Sequence, residues 1–537
     1  MASIDYKKEL DSTQQKKTAT PLIREELKFS DKIIFSITVS ITGAAVMMIE
    51  LLGTRIIGPF YGVSLIVWSA LISVTLMALA VGYYTGGKLA DRCSKIQLSY
   101  IILAAAFFTG IIPVISSPVQ LATEVMGLQL GALSSALILF TIPLALLGMT
   151  GPYIIKIAAN GLDGIGAIAG NVYAVSTIGS VIGTLFLGFY LLPIAGTRNI
   201  IIAVGLVLVV LSLCFSIYET RRLGRTKAPI ITFVSCITIA GFIIAAGVIS
   251  ANKQYKNYEV VSEAESHYGW VRVVDQPNEK IRWLLSDSSS IGVEDLETGE
   301  SLLGYQTIIK HLPRFNPLGS DALLIGLGSG HLDKSLRRHQ VITDSIEIDP
   351  AVADAAIRHF NFKPSGKLIV GDARYQINQL QKKYDFIIHD CFTGGSEPIH
   401  LLSLEMLTEI KSHLRNKQGI LVLNFVGYSR GNNKQALAAV AKTLDQLFDY
   451  KRVFVSEPGD NFNDFVFFSS DKPLQLSAAR ADQKLAKWLR MREVLVKSDD
   501  GFIITDNYNP LESLQLAKAE HYRNILVERM GKNILLW

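Results

Sequence analysis

The chain has 537 residues, enough for two or more domains, but only 18% are charged and 49% are hydrophobic. A soluble enzyme carries about 25% charged residues, so the composition argues against an entirely soluble chain. The formal net charge of +5 is small, and basic residues are not interleaved with aromatic ones, so we predict no nucleic-acid partner. The four cysteines are scattered, which predicts neither a disulfide framework nor a metal site.

The first half of the chain has the pattern of a membrane protein. Residues 1–32 are polar and of mixed charge, which predicts a cytoplasmic tail and not a cleaved signal peptide. Residues 33–250 are apolar with short polar breaks, and they predict a seven-helix transmembrane domain surrounded by lipid. Each candidate span is close to the ~20 residues that cross the hydrocarbon core. The spans are 33–52, 64–84, 99–118, 128–149, 166–190, 198–218 and 229–250.

Lysine and arginine predict the orientation of these spans. They concentrate in the N-terminal tail, in the loop between spans 2 and 3 and in the loop between spans 6 and 7. The loops between spans 1 and 2, 3 and 4, and 5 and 6 hold only Arg55 and Arg198. The positive-inside rule therefore places the N-terminus in the cytoplasm of a plasma or inner membrane, and seven spans place the C-terminal domain outside. Because adenosyl donors are made in the cytosol, a miscounted span and an acceptor delivered outside are the two alternatives.

From residue 257 onward the composition is that of a soluble domain. Residues 257–286 alternate apolar and polar side chains, which predicts a small antiparallel β unit that extends with a linking helix to residue 318. Residues 319–537 alternate short β-rich runs with helical stretches, which predicts a Rossmann-like, mostly parallel α/β sheet. The predicted strands are 322–327, 344–349, 367–372, 385–390, 420–426, 452–457 and 464–470.

A glycine-rich turn follows the first of these strands. Gly326, Gly328 and Gly330 allow the backbone to approach a ligand before a helix begins. The alternative interpretation is a left-handed turn without a ligand. Since ligands of such sheets bind at the carboxyl ends of the strands, this turn predicts one edge of a binding site.

Acidic residues end the next three strands. Glu347 stands where a carboxylate accepts hydrogen bonds from both ribose hydroxyls, and Asp372 stands where one accepts from an adenine amino group. Asp390 stands where a partly desolvated carboxylate serves as general base or binds a cation. Asp349 directly precedes Pro350 and is interpreted as a helix N-cap. Together with the glycine turn, these acids predict an adenosine-binding site.

These motifs resemble the spermidine synthase family of polyamine aminopropyltransferases, a branch of the S-adenosylmethionine-dependent methyltransferase fold. They are GLGSG (326–330), EIDP (347–350), GDAR (371–374) and YDFIIHD (384–390). Further segments are similar to membrane-fused members of that family, namely ELLGTRIIGPFYG (50–62), GGKLADR (86–92), GNVYAVSTIGS (170–180) and TDNYNPLE (505–512). The resemblance implies a membrane-bound transferase of polyamine biosynthesis.

The resemblance also implies further site residues. Ala373 joins the nucleoside-holding positions, and four residues contact the amine substrate, namely Tyr305, Asp287, Thr393 and Glu397. Several acids of the family pattern are replaced, because Ser329 stands where the family has the aspartate that holds the donor's ammonium, and Thr393 stands where it has a second catalytic-loop aspartate. Glu397 offers a replacement carboxylate in that loop.

Three functions remain open at this stage. The first is transfer of an aminopropyl group from decarboxylated S-adenosylmethionine to an amine such as putrescine. The second is methyl transfer from S-adenosylmethionine, because Ser329 is compatible with a donor that carries a carboxylate. The third is a non-catalytic domain that binds a nucleoside or polyamine and regulates a transport-like membrane domain. A homodimer also stays open.

Overall fold

The computed structural model describes residues 28–62, 65–92, 97–159, 164–223, 229–251, 257–392, 397–476 and 483–536. Up to Ala251 the regular elements of these residues are helical. The helices are α1 (Phe29–Tyr61), α2 (Leu65–Arg92), α3 (Leu98–Thr123), α4 (Gly127–Gly148), α5 (Thr150–Ala158), α6 (Ile165–Phe186), α7 (Leu192–Leu223) and α8 (Pro229–Ala251). A π-helical turn, Leu187–Leu191, joins α6 to α7.

Helices cover all seven predicted spans, apart from single residues at their ends. Five stretches of the described chain are long and apolar enough to cross a membrane. The two longest, Leu98–Ala158 and Ile165–Arg222, each contain a break in the helical backbone. Gly127, with φ 80°, and Gly196, with φ 70°, mark these breaks. Each of the two stretches therefore contains two of the predicted spans.

Ion pairs mark one end of the helical region. Asp31, at the start of α1, accepts a hydrogen bond from Arg222 near the end of α7 at 3.0 Å. Lys156 of α5 pairs with Asp91 of α2 at 2.8 Å. The start of α1 therefore lies beside the end of α7, and the end of α5 lies beside the end of α2.

The opposite end of the helical region contacts the C-terminal half of the chain. Arg523 donates to the carbonyl of Phe60 at 2.7 Å and pairs with Glu124 at 2.9 Å. Glu265 accepts a hydrogen bond from the backbone N–H of Thr197 at 2.9 Å. The α/β half is thus attached to the helix ends farthest from the start of α1.

The predicted β unit is a four-stranded antiparallel sheet. Its strands follow chain order as β1 (Glu259–Glu265), β2 (Trp270–Gln276), β3 (Ile281–Ser286) and β4 (Ser289–Asp295). The alternating pattern predicted the first three, whereas β4 extends the unit beyond the predicted pattern. The short helix α9 (Gly304–Ile309) follows, and it is the linking helix that the sequence predicts before residue 318.

The second sheet has eight strands among the described residues, in the order β12-β10-β11-β9-β8-β5-β6-β7. They are β5 (Asp321–Ile325), β6 (Ile342–Glu347), β7 (Leu368–Val370), β8 (Phe386–His389), β9 (Ile420–Tyr428), β10 (Tyr450–Val455), β11 (Phe462–Ser470) and β12 (Glu493–Val494). Strands β5 to β9 pair in parallel, and β11, β10 and β12 continue the sheet antiparallel. The predicted α/β sheet is confirmed, with β11 inserted between β9 and β10.

Helices cover both faces of this sheet. They are α10 (His331–Arg337), α11 (Pro350–His359), α12 (Ala373–Gln379), α13 (Leu404–Ser412), α14 (Gln435–Asp445), α15 (Gln483–Arg492), α16 (Leu511–Leu514) and α17 (Leu516–Met530). Leu323 and Leu324, neighbours in β5, are both fully buried and belong to different core clusters. A parallel sheet that is buried on both faces explains the continuous apolar runs in the sequence.

Candidate active site

The site lies where the strand order of the large sheet reverses. Strand β5 pairs with β6 on one side and with β8 on the other, and the crevice outside such a switch point is where ligands of wound sheets bind. Gly326, Glu347 and Asp390 stand at the carboxyl ends of these three strands and line one cavity of about 1190 Å³. The sheet topology therefore brings together residues that are far apart in the sequence.

The glycine turn forms the floor of this cavity at two of its three glycines. Gly326 and Gly328 line the cavity with φ angles of 93° and 53°. A Cβ on Gly326 would lie 2.1 Å from the carbonyl oxygen of Asp390, so only glycine fits there. Gly330, with φ 78°, lies outside the lining and packs against Phe362 as the N-cap of α10.

Glu347 is held by the backbone of the same turn. Its carboxylate accepts hydrogen bonds from the N–H of Leu327 at 2.9 Å and of Asp349 at 3.0 Å. Burial raises the pKa of Glu347, and these N–H groups partly offset the rise. A carboxylate has about four acceptor positions, so two remain for hydroxyl groups of a ligand.

Asp372 and Ala373 lie beside Glu347 on the cavity wall. Asp372 is the N-cap of α12 and accepts from the N–H of Tyr375 at 2.8 Å, while its other oxygen lies 3.9 Å from His400. Asp349 is confirmed as the N-cap of α11, because it accepts from the N–H of Ala351.

Asp390 is half-buried between two neutral hydrogen-bond donors. Tyr305 of α9 donates to its Oδ2 at 2.9 Å, and Asn424 of β9 donates to its Oδ1 at 3.0 Å. Burial raises the pKa of Asp390 to about 7, and the two donors limit that rise. Asp390 therefore changes its protonation state near neutral pH, which suits a general base.

A second half-buried acid, Asp464 of β11, lines the same cavity. It accepts a hydrogen bond from the hydroxyl of Ser456 at 3.1 Å. Burial raises its pKa to about 6, and Ser456 and Lys518 limit the rise. Because Asp464 in turn raises the pKa of Asp390, the two carboxyls act as one acidic centre.

Another acid that lines the cavity, Glu397, is paired with a lysine of the same chain. It forms a buried ion pair with Lys518 of α17 at 2.5 Å and accepts from the side chain of Gln515 at 2.9 Å. The N–H of Val426 donates to its other oxygen at 2.8 Å. Burial lowers the pKa of Lys518, and the attraction of Glu397 opposes this effect.

One further predicted residue stands apart from this cluster. Asp287 lies outside the cavity lining, where its carboxylate accepts from the N–H of Trp270 at 3.0 Å and stabilises the turn between β3 and β4. It has φ 49°, and burial raises its pKa. Thr393 lies outside the described residues.

Three residues that line the cavity also carry a buried polar atom without a protein partner. Among the described residues, the hydroxyls of Ser289 and Ser290 and the side-chain carbonyl of Gln306 make no hydrogen bond and have almost no accessible surface. These atoms therefore lie beneath the cavity surface.

Ser329, which stands in place of the family's aspartate, is turned inward. Its hydroxyl hydrogen-bonds to Nδ1 of His331 at 2.7 Å, and Nε2 of His331 lies 2.9 Å from Glu294. Ser329 is not among the lining residues, whereas Ile291 is. The polar chain from Ser329 to Glu294 therefore lies behind the cavity wall.

Sequence reasoning missed Asn424, Asp464 and Lys518. Asn424 and Asp464 interrupt the apolar runs of β9 and β11, and a polar residue inside a buried strand is a usable signal. No local pattern marks Lys518, because it contacts Glu397 across 121 residues of chain.

Comparison with known proteins agrees with this geometry. Residues 302–458 match the family model of the spermine/spermidine synthase domain. A polyamine aminopropyltransferase from Vibrio vulnificus is 40% identical over 144 residues, which cover 26% of this chain and 48% of that protein. An N-terminal histidine N-methyltransferase from Emericella nidulans is 25% identical over 302 residues, which cover 51% of this chain and 52% of that protein.

These matches are partial. A probable polyamine aminopropyl transferase from Bifidobacterium longum is 24% identical over 291 residues and is covered over 63% of its length. The chain thus spans about half to two thirds of the length of these three relatives. A solved structure of a probable spermidine synthase from Corynebacterium glutamicum aligns with TM-score 0.38 and 16% identity over 43% of this chain and 86% of that one.

Proposed function

We propose, from the premise that the C-terminal part of this chain is a spermine/spermidine synthase domain, that the protein is a membrane-bound aminopropyltransferase. It transfers the aminopropyl group of decarboxylated S-adenosylmethionine to an amine acceptor, of which putrescine is the one that the family resemblance implies. The observation that carries the proposal is Asp390, a half-buried carboxyl with a pKa of about 7 in the cavity that Gly326 and Glu347 also line.

The nucleoside end of the donor is assigned to the glycine turn and its neighbours. Glu347 accepts the ribose hydroxyls at its two remaining acceptor positions, and Asp372 faces the adenine beside Ala373. The turn at Gly326 and Gly328 permits close approach because neither residue carries a side chain.

The acidic centre is assigned to the acceptor amine. The neutral amine nitrogen forms a bond to the donor carbon next to the sulfonium, the carbon–sulfur bond breaks, and its electron pair stays on sulfur. The thioether nucleoside leaves, and Asp390 accepts the proton that the amine loses. Asn424 and Tyr305 orient Asp390, and alignment of the reacting atoms supplies most of the acceleration.

The membrane location is supported by the five apolar helical stretches. The ion pairs at opposite ends of the helical region suit seven crossings with the α/β half on the side away from the N-terminus. Together with the positive-inside rule, this arrangement supports an active site outside the cytoplasm. A topology reporter fused after Trp537 tests this assignment, and cytoplasmic activity of the reporter would contradict it.

A methyltransferase is the second candidate, because the match to the N-terminal histidine N-methyltransferase extends over 302 residues. The chemistry of the two reactions differs only in the alkyl group that leaves sulfur. Calorimetry with the intact and the decarboxylated donor separates them, since an aminopropyltransferase prefers the decarboxylated compound. Preference for the intact donor, together with methyl transfer, would replace the first proposal.

The decisive experiment measures transfer of the aminopropyl group from the donor to an amine, which also releases the thioether nucleoside. The purified full chain in lipid vesicles is given decarboxylated S-adenosylmethionine, labelled in its aminopropyl group, with putrescine and other primary amines. We expect the label to appear in the amine product only when an amine is present. Binding of the donor without any release would instead support the non-catalytic alternative.

A further inference from the structure

We infer that the acceptor is a membrane-resident amphiphile with one primary amine at its head and an apolar tail. This inference rests on the proposed function and names the acceptor class of the same site. Its first support is that the cavity of Asp390 does not end in the α/β half. It continues to the helix ends, where Gly62, Ile66, Val67, Met126 and Leu130 line it.

The size of the cavity leaves room for such a second ligand. Small-molecule pockets commonly measure about 300–1,000 Å³. The cavity measures about 1190 Å³, and the nucleoside positions Gly326, Glu347 and Asp372 occupy only its end at the sheet. The extension toward α1, α2 and α4 is therefore available for an acceptor longer than a small diamine.

The wall of this extension is apolar at the helix ends. Ile66 and Val67 belong to α2, and Met126 and Leu130 flank the start of α4. Met126 and Leu130 are 49% and 58% exposed although they are apolar. Ile66 and Val67 begin an apolar stretch that is long enough to cross a membrane, and Met126 and Leu130 lie at the helix break inside a second such stretch. The extension therefore meets the ends of apolar helices, at the level where lipid tails begin.

Helix α17 closes one side of the same passage. Tyr522, Leu526 and Arg529 line the cavity, while Arg523 attaches the helix to the carbonyl of Phe60. One helix therefore carries both the residue that contacts the membrane helices and the residues that face the cavity. The passage between the acidic centre and the helix ends is therefore part of the folded structure.

The charges in the acidic centre favour a single amine. Lys518 and Glu397 are 2% and 0% exposed and neutralise each other. Asp390 and Asp464 make no ion pair in the described part of the chain, and neither do the cavity-lining acids Glu347, Asp349, Glu457, Glu512 and Glu520. An amine head at Asp390 is attracted to Asp390 and Asp464 and leaves the pair between Glu397 and Lys518 in place, whereas a second ammonium at this centre would compete with Lys518 for Glu397.

The reaction has the same balance as in the proposed function. The amine nitrogen of the amphiphile forms the bond to carbon, sulfur keeps the electron pair of the broken bond, and Asp390 takes the proton. The tail remains between Ile66, Val67 and Leu130 during the transfer. The product therefore stays in the membrane, and the thioether nucleoside leaves through the aqueous end of the cavity.

The test is a competition between decylamine and putrescine. The full chain in phosphatidylcholine vesicles receives decarboxylated S-adenosylmethionine labelled in the aminopropyl group, and the products are separated into an organic and an aqueous phase. We expect kcat/KM for decylamine to exceed that for putrescine by about tenfold or more, which corresponds to burial of two methylene groups. A preference for putrescine would overturn the inference and leave the proposed function intact.

Variants at the mouth connect the preference to the passage. Leu130→Asp and, from the facing helix, Ile66→Asp are expected to reduce the decylamine-to-putrescine ratio about tenfold. Val125→Asp is the matched control, because Val125 is 89% exposed beside Met126 but does not line the cavity. Donor affinity, measured by calorimetry, verifies that each variant is folded. An unchanged ratio in both folded mouth variants would also overturn the inference.

The two proposals fail in distinguishable ways. If decylamine reacts less well than putrescine, only the acceptor inference is rejected. If the donor binds but neither amine reacts, the transfer reaction is rejected together with the acceptor inference, and a donor-binding domain remains. If neither donor binds to a folded chain, the proposed function itself is rejected, and the acceptor inference is rejected with it.

Discussion

The helical region and the α/β region both bury carboxylates, but they use them differently. Glu219 of α7 accepts from the N–H of Leu98 at 3.0 Å and from the hydroxyl of Ser99 at 2.6 Å, and it lies outside the cavity. Asp390 accepts from two neutral donors and faces the cavity. A buried acid whose acceptor positions are used by its own chain stabilises the fold, whereas one that faces a cavity is available to a ligand.

The helical region uses its other polar groups in the same way. Two ion pairs among its described residues, Arg222 with Asp31 and Lys156 with Asp91, join helix ends to one another. Close packing also holds these helices together. A Cβ on Gly179 would lie 2.3 Å from the carbonyl oxygen of Ser40, so the two helices approach closely there. We therefore assign the chemistry to the α/β region and anchoring to the helices.

The largest expected effect is loss of the base. Asp390→Asn keeps the shape of the side chain but cannot accept the amine proton, so we expect kcat to fall about 10²–10⁴-fold. Donor affinity is expected to stay within about twofold of the parent chain, a change of under 0.5 kcal/mol. Rapid-quench measurement of nucleoside release gives the rate. Asp354→Asn, which changes an exposed acid of α11, is the matched control. Parent-like turnover by Asp390→Asn would remove the assigned role.

Donor binding provides the next test of the α/β region. Glu347→Gln replaces the charged acceptor of the assigned ribose hydroxyls, and we expect donor affinity to fall about 10–100-fold. Calorimetry measures the affinity directly. Glu300→Gln, at a half-exposed ion pair with Arg338, should leave it unchanged. Equal losses in both variants would point to a general electrostatic effect instead of a ribose contact.

Glu219→Gln makes the opposite test in the helical region. It weakens a buried set of hydrogen bonds, so we expect the free energy of unfolding to fall by about 1–3 kcal/mol. The kinetic constants of the folded fraction should not change, because Glu219 is remote from the cavity lining. Thermal unfolding in detergent and initial rates at low temperature measure the two quantities. A large change of kcat without a loss of stability would contradict the division between the regions.

The smallest expected effect is a shift of the pH profile. Below a pKa of about 7 Asp390 is protonated and cannot accept a proton, so kcat/KM should rise as pH increases through 7. Asn424 stabilises the ionised form by its hydrogen bond. We therefore expect Asn424→Leu to move the midpoint upward by about one pH unit. A midpoint that stays in place would assign the profile to another group.

Much of the fold was predictable because its signals are local. The apolar periodicity of the helices, the alternation in β1 to β3 and the glycine turn at 326–330 depend on neighbouring residues alone. Strand β4 was not predicted because it follows a turn at Asp287. This residue has a positive φ, a conformation that the sequence indicates less reliably at an aspartate than at a glycine. The order of β10 and β11 was not predictable, since either strand can pair with β9 by its local pattern.

The sequence by itself determined which residues form the edge of the sheet. Strand-end positions of Gly326, Glu347, Asp372 and Asp390 follow from element boundaries, and the parallel sheet places strand ends on one side. Only the tertiary structure decided what surrounds Asp390. Its hydrogen bonds come from Tyr305 and Asn424, and the charge of Asp464 acts on it. Glu397 pairs with Lys518, and the cavity continues to the helix ends. All of these features join segments that are distant in the sequence. Burial and pKa depend on such non-local packing, which no short pattern in the chain records.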